Sequence, residues 1–249
     1  MNILNLLRAE FLKLKHTIFF PLHFFLPLMG SLLFAGYFSI TNYSFSLFLA
    51  NYLLVLALIY PLILSWACSS IFDQEIAAGG CFNLLRLTKR WQILLVKLLY
   101  LLAGSLISCF LAVFIFAFLV KMIRTKTIVS VSYLLAACLL IWVCNLFSYF
   151  LHSFLELKFG RNVSLVFATF EFLLAALLLT GLGNLIWPLF PCSWGPRLLQ
   201  IYTAAFFKQK STSLGTMLLL FIIIICFTLA IAIFVFNWFS HWEGRKSEI

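Results

Sequence analysis

Six stretches of this 249-residue chain run almost uncharged for about twenty residues or more, at 18–38, 47–69, 98–120, 128–151, 164–186 and 213–238. At 1.5 Å rise per residue, roughly twenty helical residues cross the ~30 Å hydrocarbon layer of a bilayer. The runs lack the polar alternation of a membrane β-barrel strand, so helices are expected. Composition agrees: 65% of the residues are hydrophobic and 10% are charged, where a soluble domain carries about a quarter. Too few polar side chains exist to cover a core. The expectation is an all-α integral membrane protein with six transmembrane helices in a single domain over 1–249.

Orientation follows lysine and arginine, which favour the cytoplasmic side. With the N-terminus inside, the inner segments hold eleven: Arg8, Lys13, Lys15, Arg86, Lys89, Arg90, Lys97, Lys158, Arg161, Arg245 and Lys246. The outer segments hold six: Lys121, Arg124, Lys126, Arg197, Lys208 and Lys210. Both termini of this multi-pass protein are therefore placed in the cytoplasm. The KMIRTK turn at 121–126 runs against this bias. The net charge of +10 sits at the ends of spans, so it is assigned to anionic lipid and orientation, with no nucleic-acid partner.

The chain carries no sign of catalysis. It has no H-E-x-x-H, no G-x-S-x-G and no G-x-x-x-x-G-K-[ST] motif, and its histidines, His16, His23, His152 and His241, are far apart. No C-x-x-C or metal-ligand spacing occurs among the seven cysteines, which lie mostly in apolar runs. Enzymatic activity, a metal and a bound cofactor are not expected. Glu171, about two turns into the fifth run, is the one acid inside a span. It must be neutral, wetted or bonded to a neighbour such as Ser or Asn on another helix. Packing between helices and a place on a transport pathway are both open readings.

Three segments outside the spans stand out. Residues 1–16, MNILNLLRAEFLKLKH, lack a secretory cleavage site. Ile3, Leu7, Phe11 and Leu14 share one helical face, as in an amphipathic helix lying in the interface. That helix either anchors the first span or moves and meets a partner. Residues 184–210 are rich in tryptophan, proline and glycine, with Pro188, Pro191 and Pro196 expected to break helix. They read as an outer cap. Trp187 and Trp194, with Arg197 in the same segment, suit contact with a lipid-tailed or amphipathic ligand, and an aromatic belt at the headgroups explains the tryptophans equally.

The third segment is SIFDQEIAAGGCFNLLRLTKRWQILLVK, residues 70–97, between the second and third runs. DQEIAAGG continues a helix and stops it at Gly79–Gly80. CFNLLRLTKR then reads as a short helix with Phe82, Leu84 and Leu85 on an apolar face and Arg86, Lys89 and Arg90 on the wet one. Asp73 and Glu75 close the preceding helix. Such an element fits a groove on a partner subunit, or is a surface helix pinned by anionic lipid.

The order of these features resembles the permease subunits of type 2 ABC exporters. Glu75, Gly79, Leu84, Arg90 and Lys97 match that family's recurrent positions in the cytoplasmic coupling helix, and Arg8, Glu10, Lys13 and Lys15 match its N-terminal helix. WPLFPCSWGPRL, residues 187–198, is similar to the outer segment of lantibiotic immunity permeases. The resemblance implies export of a lantibiotic peptide from the membrane for self-immunity or resistance. A lipid, a drug or another bacteriocin is the alternative cargo, and a non-transport assembly role the other alternative. It implies two copies of a separate ATPase, which uses ATP and Mg2+, and a second similar permease forming a heterodimer. It assigns ATPase coupling to Asp73, Glu75, Gly79, Phe82, Leu84, Leu85, Arg86 and Arg90.

Overall fold

The computed structural model describes residues 3–79, 81, 84, 90–123, 130–207 and 214–244. Those residues form nine α-helices and two short 3-10 turns. The helices are α1 (Ile3–Lys15), α2 (Phe19–Ile40), α3 (Phe45–Ala77), α4 (Arg90–Ile123) and α5 (Val131–Cys144), followed by α6 (Leu146–Phe159), α7 (Arg161–Leu178), α8 (Pro191–Phe206) and α9 (Leu214–His241). The turns, Gly181–Gly183 and Trp187–Leu189, lie between α7 and α8. Five helices are long and apolar enough to cross a membrane, or six if the bent pair α5–α6 counts as one span. The chain is an all-α, multi-pass membrane protein.

The helices do not end where the apolar runs end. Hydropathy marks what lies in lipid, whereas a helix continues until its backbone is capped. At 33 and 34 residues, α3 and α4 are each about a dozen longer than a span requires. Their charged ends, with Asp73 and Glu75 on one and Arg90 and Lys97 on the other, project together past the apolar stretch. α3 stops where expected, before Gly79, whose φ of +117° suits a residue without Cβ.

The fourth run divides. α5 and α6 meet at Asn145 with a bend of 40°. In lipid a broken helix must satisfy its own backbone. Asn145 does so, its side-chain amide donating to the Ile141 carbonyl at 2.8 Å. The fifth run ends early, α7 stopping at Leu178. A single residue, Gly160 at φ +90°, then reverses the chain between α6 and α7. Its N–H reaches the Glu156 carbonyl at 2.9 Å, so the reversal leaves that carbonyl paired. The two helices consequently run side by side.

Proline also behaves differently from the sequence reading. Pro191 opens α8 and Pro196 lies inside it. A proline at the first helical position removes an N–H that has no helical partner anyway. Pro196 is buried with Gly195, which brings α8 close to Asn145: a Cβ on Gly195 would stand 3.4 Å from the Asn145 amide nitrogen.

α3 is the centre of the bundle, against α6, α7 and α8. α2 packs chiefly on α4. Ser31 of α2 and Tyr52 of α3 both donate to the Ala112 carbonyl of α4, at 2.8 and 2.9 Å. Tyr52 also stacks on Phe116. The outward faces of these helices carry exposed leucine, isoleucine and phenylalanine, as lipid contact requires.

Candidate functional site

Two buried polar clusters interrupt the apolar bundle. The first joins three elements at the end of the bundle that carries α1. Lys97 of α4 is 1% exposed. Its ammonium lies 2.5 Å from Glu10 Oε1 on α1 and 3.0 Å from Glu75 Oε1 on α3. Lys13 of α1 adds a second cation, 2.7 Å from Glu75 Oε1 and 3.9 Å from Glu10 Oε2. Two carboxylates and two ammonium groups balance, which burial of charge demands. The Tyr100 hydroxyl, donating to the Leu7 carbonyl at 3.0 Å, is a further tie between α1 and α4.

Glu75 lies past the apolar stretch of α3. Burial pushes its carboxyl up, but the charge of Lys97 and the hydrogen bonds from Lys13 and Lys97 outweigh burial and hold it below its ordinary value. The same residue anchors the chain that leaves α3. The Cys81 N–H donates to the Glu75 carbonyl at 3.0 Å, and the Leu84 N–H donates to the Cys81 carbonyl at 3.0 Å. Cys81 has φ +70°, so a left-handed residue follows Gly79 in this turn.

The expected coupling residues therefore divide. Glu75 joins Lys13 and Lys97. Leu84, 3% exposed, belongs to the core of this chain. Arg90 donates to the Trp242 carbonyl at 2.9 Å, beyond the end of α9. Asp73 stands 3.9 Å from Arg161, both partly exposed. Phe82, Leu85 and Arg86 lie outside the described residues.

The second cluster sits between α3, α6 and α7. His152 of α6 is wholly buried. Its Nε2 lies 2.8 Å from Glu171 Oε2 on α7, and its Nδ1 lies 3.0 Å from the Ser164 hydroxyl. Ser164 in turn meets the Ser65 hydroxyl of α3 at 2.8 Å. One turn of α6 nearer Gly160, Glu156 accepts from Ser69 at 2.9 Å. The partner of Glu171 is thus a histidine, not the serine or asparagine expected. A signal existed: Asn145, Ser148, Tyr149, His152, Ser153 and Glu156 recur every three or four residues, which is one polar face of a helix.

At the far end, Trp187 and Trp194 are buried, Trp194 at 1% exposure. The Trp194 indole donates to the Pro188 carbonyl at 2.9 Å. Arg197 donates to the carbonyls of Leu178 and Thr180, at 2.8 and 2.7 Å. These three side chains hold the end of α7 against α8. A lateral cleft of about 630 Å³ opens between α2 and α3, with Met29, Leu33, Ile59 and Trp66 among its walls. That volume is within the range of small-molecule sites. No metal-binding group of histidine, cysteine, aspartate or glutamate occurs among the described residues.

The sequence profile of the family described as "ABC-2 family transporter protein" matches residues 6–174. The matched region runs from α1 through most of α7 and contains both polar clusters. No curated protein matches the chain significantly, and no solved structure does.

Proposed function

The chain belongs to the ABC-2 transporter family as a membrane-embedded permease subunit, and we propose that it exports an amphipathic substrate using ATP hydrolysed by separate ATPase chains. The observation that carries this reading is the ionic tie of Glu10, Lys13, Glu75 and Lys97. It joins α1 and both arms of the α3–α4 corner, so a push on the segment between Ala77 and Arg90 reaches three helices at once. In this reading the corner and both termini face the cytoplasm, and ATPase closure is delivered there. Glu75 holds the angle of the corner and touches no nucleotide. A second permease chain completes the membrane unit, as a heterodimer with two ATPase copies.

The narrower cargo is a lantibiotic peptide, with immunity or resistance as the outcome. It rests on the similarity of residues 187–198 to lantibiotic immunity permeases, and these residues lie beyond the matched region. Burial of Trp187 and Trp194 and the carbonyl bonds of Arg197 make these side chains builders of the outer cap. A peptide would meet the surface they shape. The broader reading, an amphipathic lipid, drug or peptide, is favoured by the lateral apolar cleft, which opens where a membrane-dissolved molecule travels.

The test is co-purification with a co-expressed ATPase, followed by hydrolysis in membranes with and without candidate cargo. Stimulation by a lantibiotic and not by lipids or drugs supports the narrow reading. Stimulation by the others alone removes it. An ATPase that neither binds nor responds to this chain contradicts the exporter reading.

A further inference from the structure

α2 leans on α4 and closes on α3 near one end only. There the closure is aromatic: the Phe34 ring lies 5.1 Å from Tyr52, and Phe38 lies 4.8 Å from Phe48, centroid to centroid. Beyond these rings the cleft of about 630 Å³ opens between the two helices. It is lined by α2 from His23 to Phe34 and by α3 from Tyr52 to Ala67. These stretches are about 16 and 22 Å long at 1.5 Å per residue. One leaflet supplies about half of the ~30 Å hydrocarbon layer. The cleft is therefore long enough for one acyl chain of one leaflet.

The two ends of the cleft differ in chemistry. The ring end is uncharged. The other end has the exposed Trp66, a residue suited to headgroup level, and Arg161, the first residue of α7. Arg161 is half-exposed, and among the described residues its guanidinium meets only Asp73, at 3.9 Å, beyond hydrogen-bond length. So loose a surface pair adds little, and the guanidinium keeps donors for a phosphate, which takes two of them side by side. The polar groups between the ends are turned to the protein. The Tyr60 and Tyr149 hydroxyls meet at 2.8 Å, and Ser105 donates to the Leu102 carbonyl at 3.0 Å. The His23 ring bonds the Phe19 carbonyl at 2.8 Å and turns its other nitrogen toward Gly104 of α4. What remains for a ligand is hydrocarbon surface with one cation at its mouth.

We propose that the cleft binds an anionic phospholipid of the surrounding bilayer, with its phosphate on Arg161, one acyl chain between α2 and α3, and the chain end against Phe34 and Tyr52. Gly30 leaves room for that chain, since a Cβ there would meet nothing within 4 Å. The second acyl chain stays in the bilayer. This deepens the broader cargo reading by naming the amphiphile that the cleft takes. Binding itself does not depend on transport: a chain that holds the lipid without engaging an ATPase would fail the exporter reading alone.

The test is native mass spectrometry of the full chain with phosphatidylglycerol and phosphatidylcholine of identical acyl chains. The unaltered chain should retain one phosphatidylglycerol in preference to phosphatidylcholine. Arg161→Gln should remove that preference, and Arg161→Lys should keep it. Gly30→Leu should abolish retention of both lipids while the chain stays folded, because leucine suits a helix better than glycine and meets open space here. A second readout needs no variant to bind. At a low fraction in phosphatidylcholine nanodiscs, phosphatidylglycerol brominated on its acyl chain should quench Trp66 more than brominated phosphatidylcholine does, with Trp66→Phe identifying the component. Equal retention or equal quenching by the two lipids, or full retention by Gly30→Leu, would overturn the proposal and leave the cleft an ordinary lipid-facing surface.

Discussion

The two buried clusters use the same ingredients to different ends. At the α1 corner, two carboxylates face two lysines, and each charge has an opposite neighbour within 4 Å. In the α3–α6–α7 cluster, Glu171 meets His152, Glu156 meets a serine hydroxyl, and one Glu156 oxygen has no hydrogen-bond partner. A compensated group of permanent charges resists separation, because any single removal leaves its buried charge out of balance. A group built on hydroxyls and imidazole can rearrange its protons without moving an atom far. The first ties three helices by charge, and the second ties α3, α6 and α7 by hydrogen bonds.

The largest expected effect breaks the compensated cluster. Lys97→Met leaves the buried Glu10 and Glu75 with only the half-exposed Lys13 as a cation. Loss of one partner from a buried pair costs about 3–5 kcal/mol, so thermal unfolding in detergent should shift well below that of the unaltered chain. The double variant Lys97→Met with Glu10→Gln should recover part of the loss. An unchanged unfolding temperature for Lys97→Met would show that the corner is not held by charge.

Gly160→Ala comes next, because alanine at φ +90° is strained whatever space it has. A cost of order 1–3 kcal/mol is expected, read as lower stability, with proteolytic cutting appearing near the α6–α7 turn. Normal stability would mean that the reversal tolerates another backbone path.

Glu171→Gln should be milder. The amide has the same size and keeps a hydrogen bond to His152, so the change in stability should stay within about 1.5 kcal/mol. Reduced substrate protection at normal expression would place Glu171 on a functional path. Unchanged protection would restrict it to packing, and the contrast with Lys97→Met would then be one of stability alone.

The smallest effect is in pH. Glu75 is held below its ordinary value of 4.5, so the folded state binds fewer protons there than the unfolded chain. Its contribution is full above the unfolded value and declines as pH falls through the depressed one. Near neutrality the Glu75 contribution should therefore not change with pH, and acid should loosen α1 before the bundle. Hydrogen exchange on α1 at decreasing pH reads this directly. Loosening of α1 near neutrality would contradict the ionic assignment.

The membrane-spanning, helical class was legible because lipid imposes a length and a hydropathy that a sequence displays. Helix ends were less so. α3 and α4 continue past lipid with charged residues that a hydropathy window rejects, and Asn145 breaks a run that looks continuous. Glu75 stood out by its place in a charged segment, but spacing alone does not say which of the surrounding cations it meets. Only three-dimensional placement gives Lys13 and Lys97 to Glu75 and sends Arg90 to Trp242. His152 and Glu171 are nineteen residues apart, and pairing them needed the Gly160 reversal. Proline at 191 and 196 read as a breaker, because its role as a first helical residue depends on where α8 begins.

The central claim is that α1 and the α3–α4 corner move as one body when the ATPase closes. Double electron–electron resonance on the permease–ATPase complex tests it, with spin labels at Leu12 on α1, Trp91 on α4 and Phe234 on α9, all well exposed. On ATP binding the account predicts a constant Leu12–Trp91 distance while both sites shift relative to Phe234, and loss of that constancy in Lys97→Met. A Leu12–Trp91 distance that changes with nucleotide in the unaltered protein would contradict it.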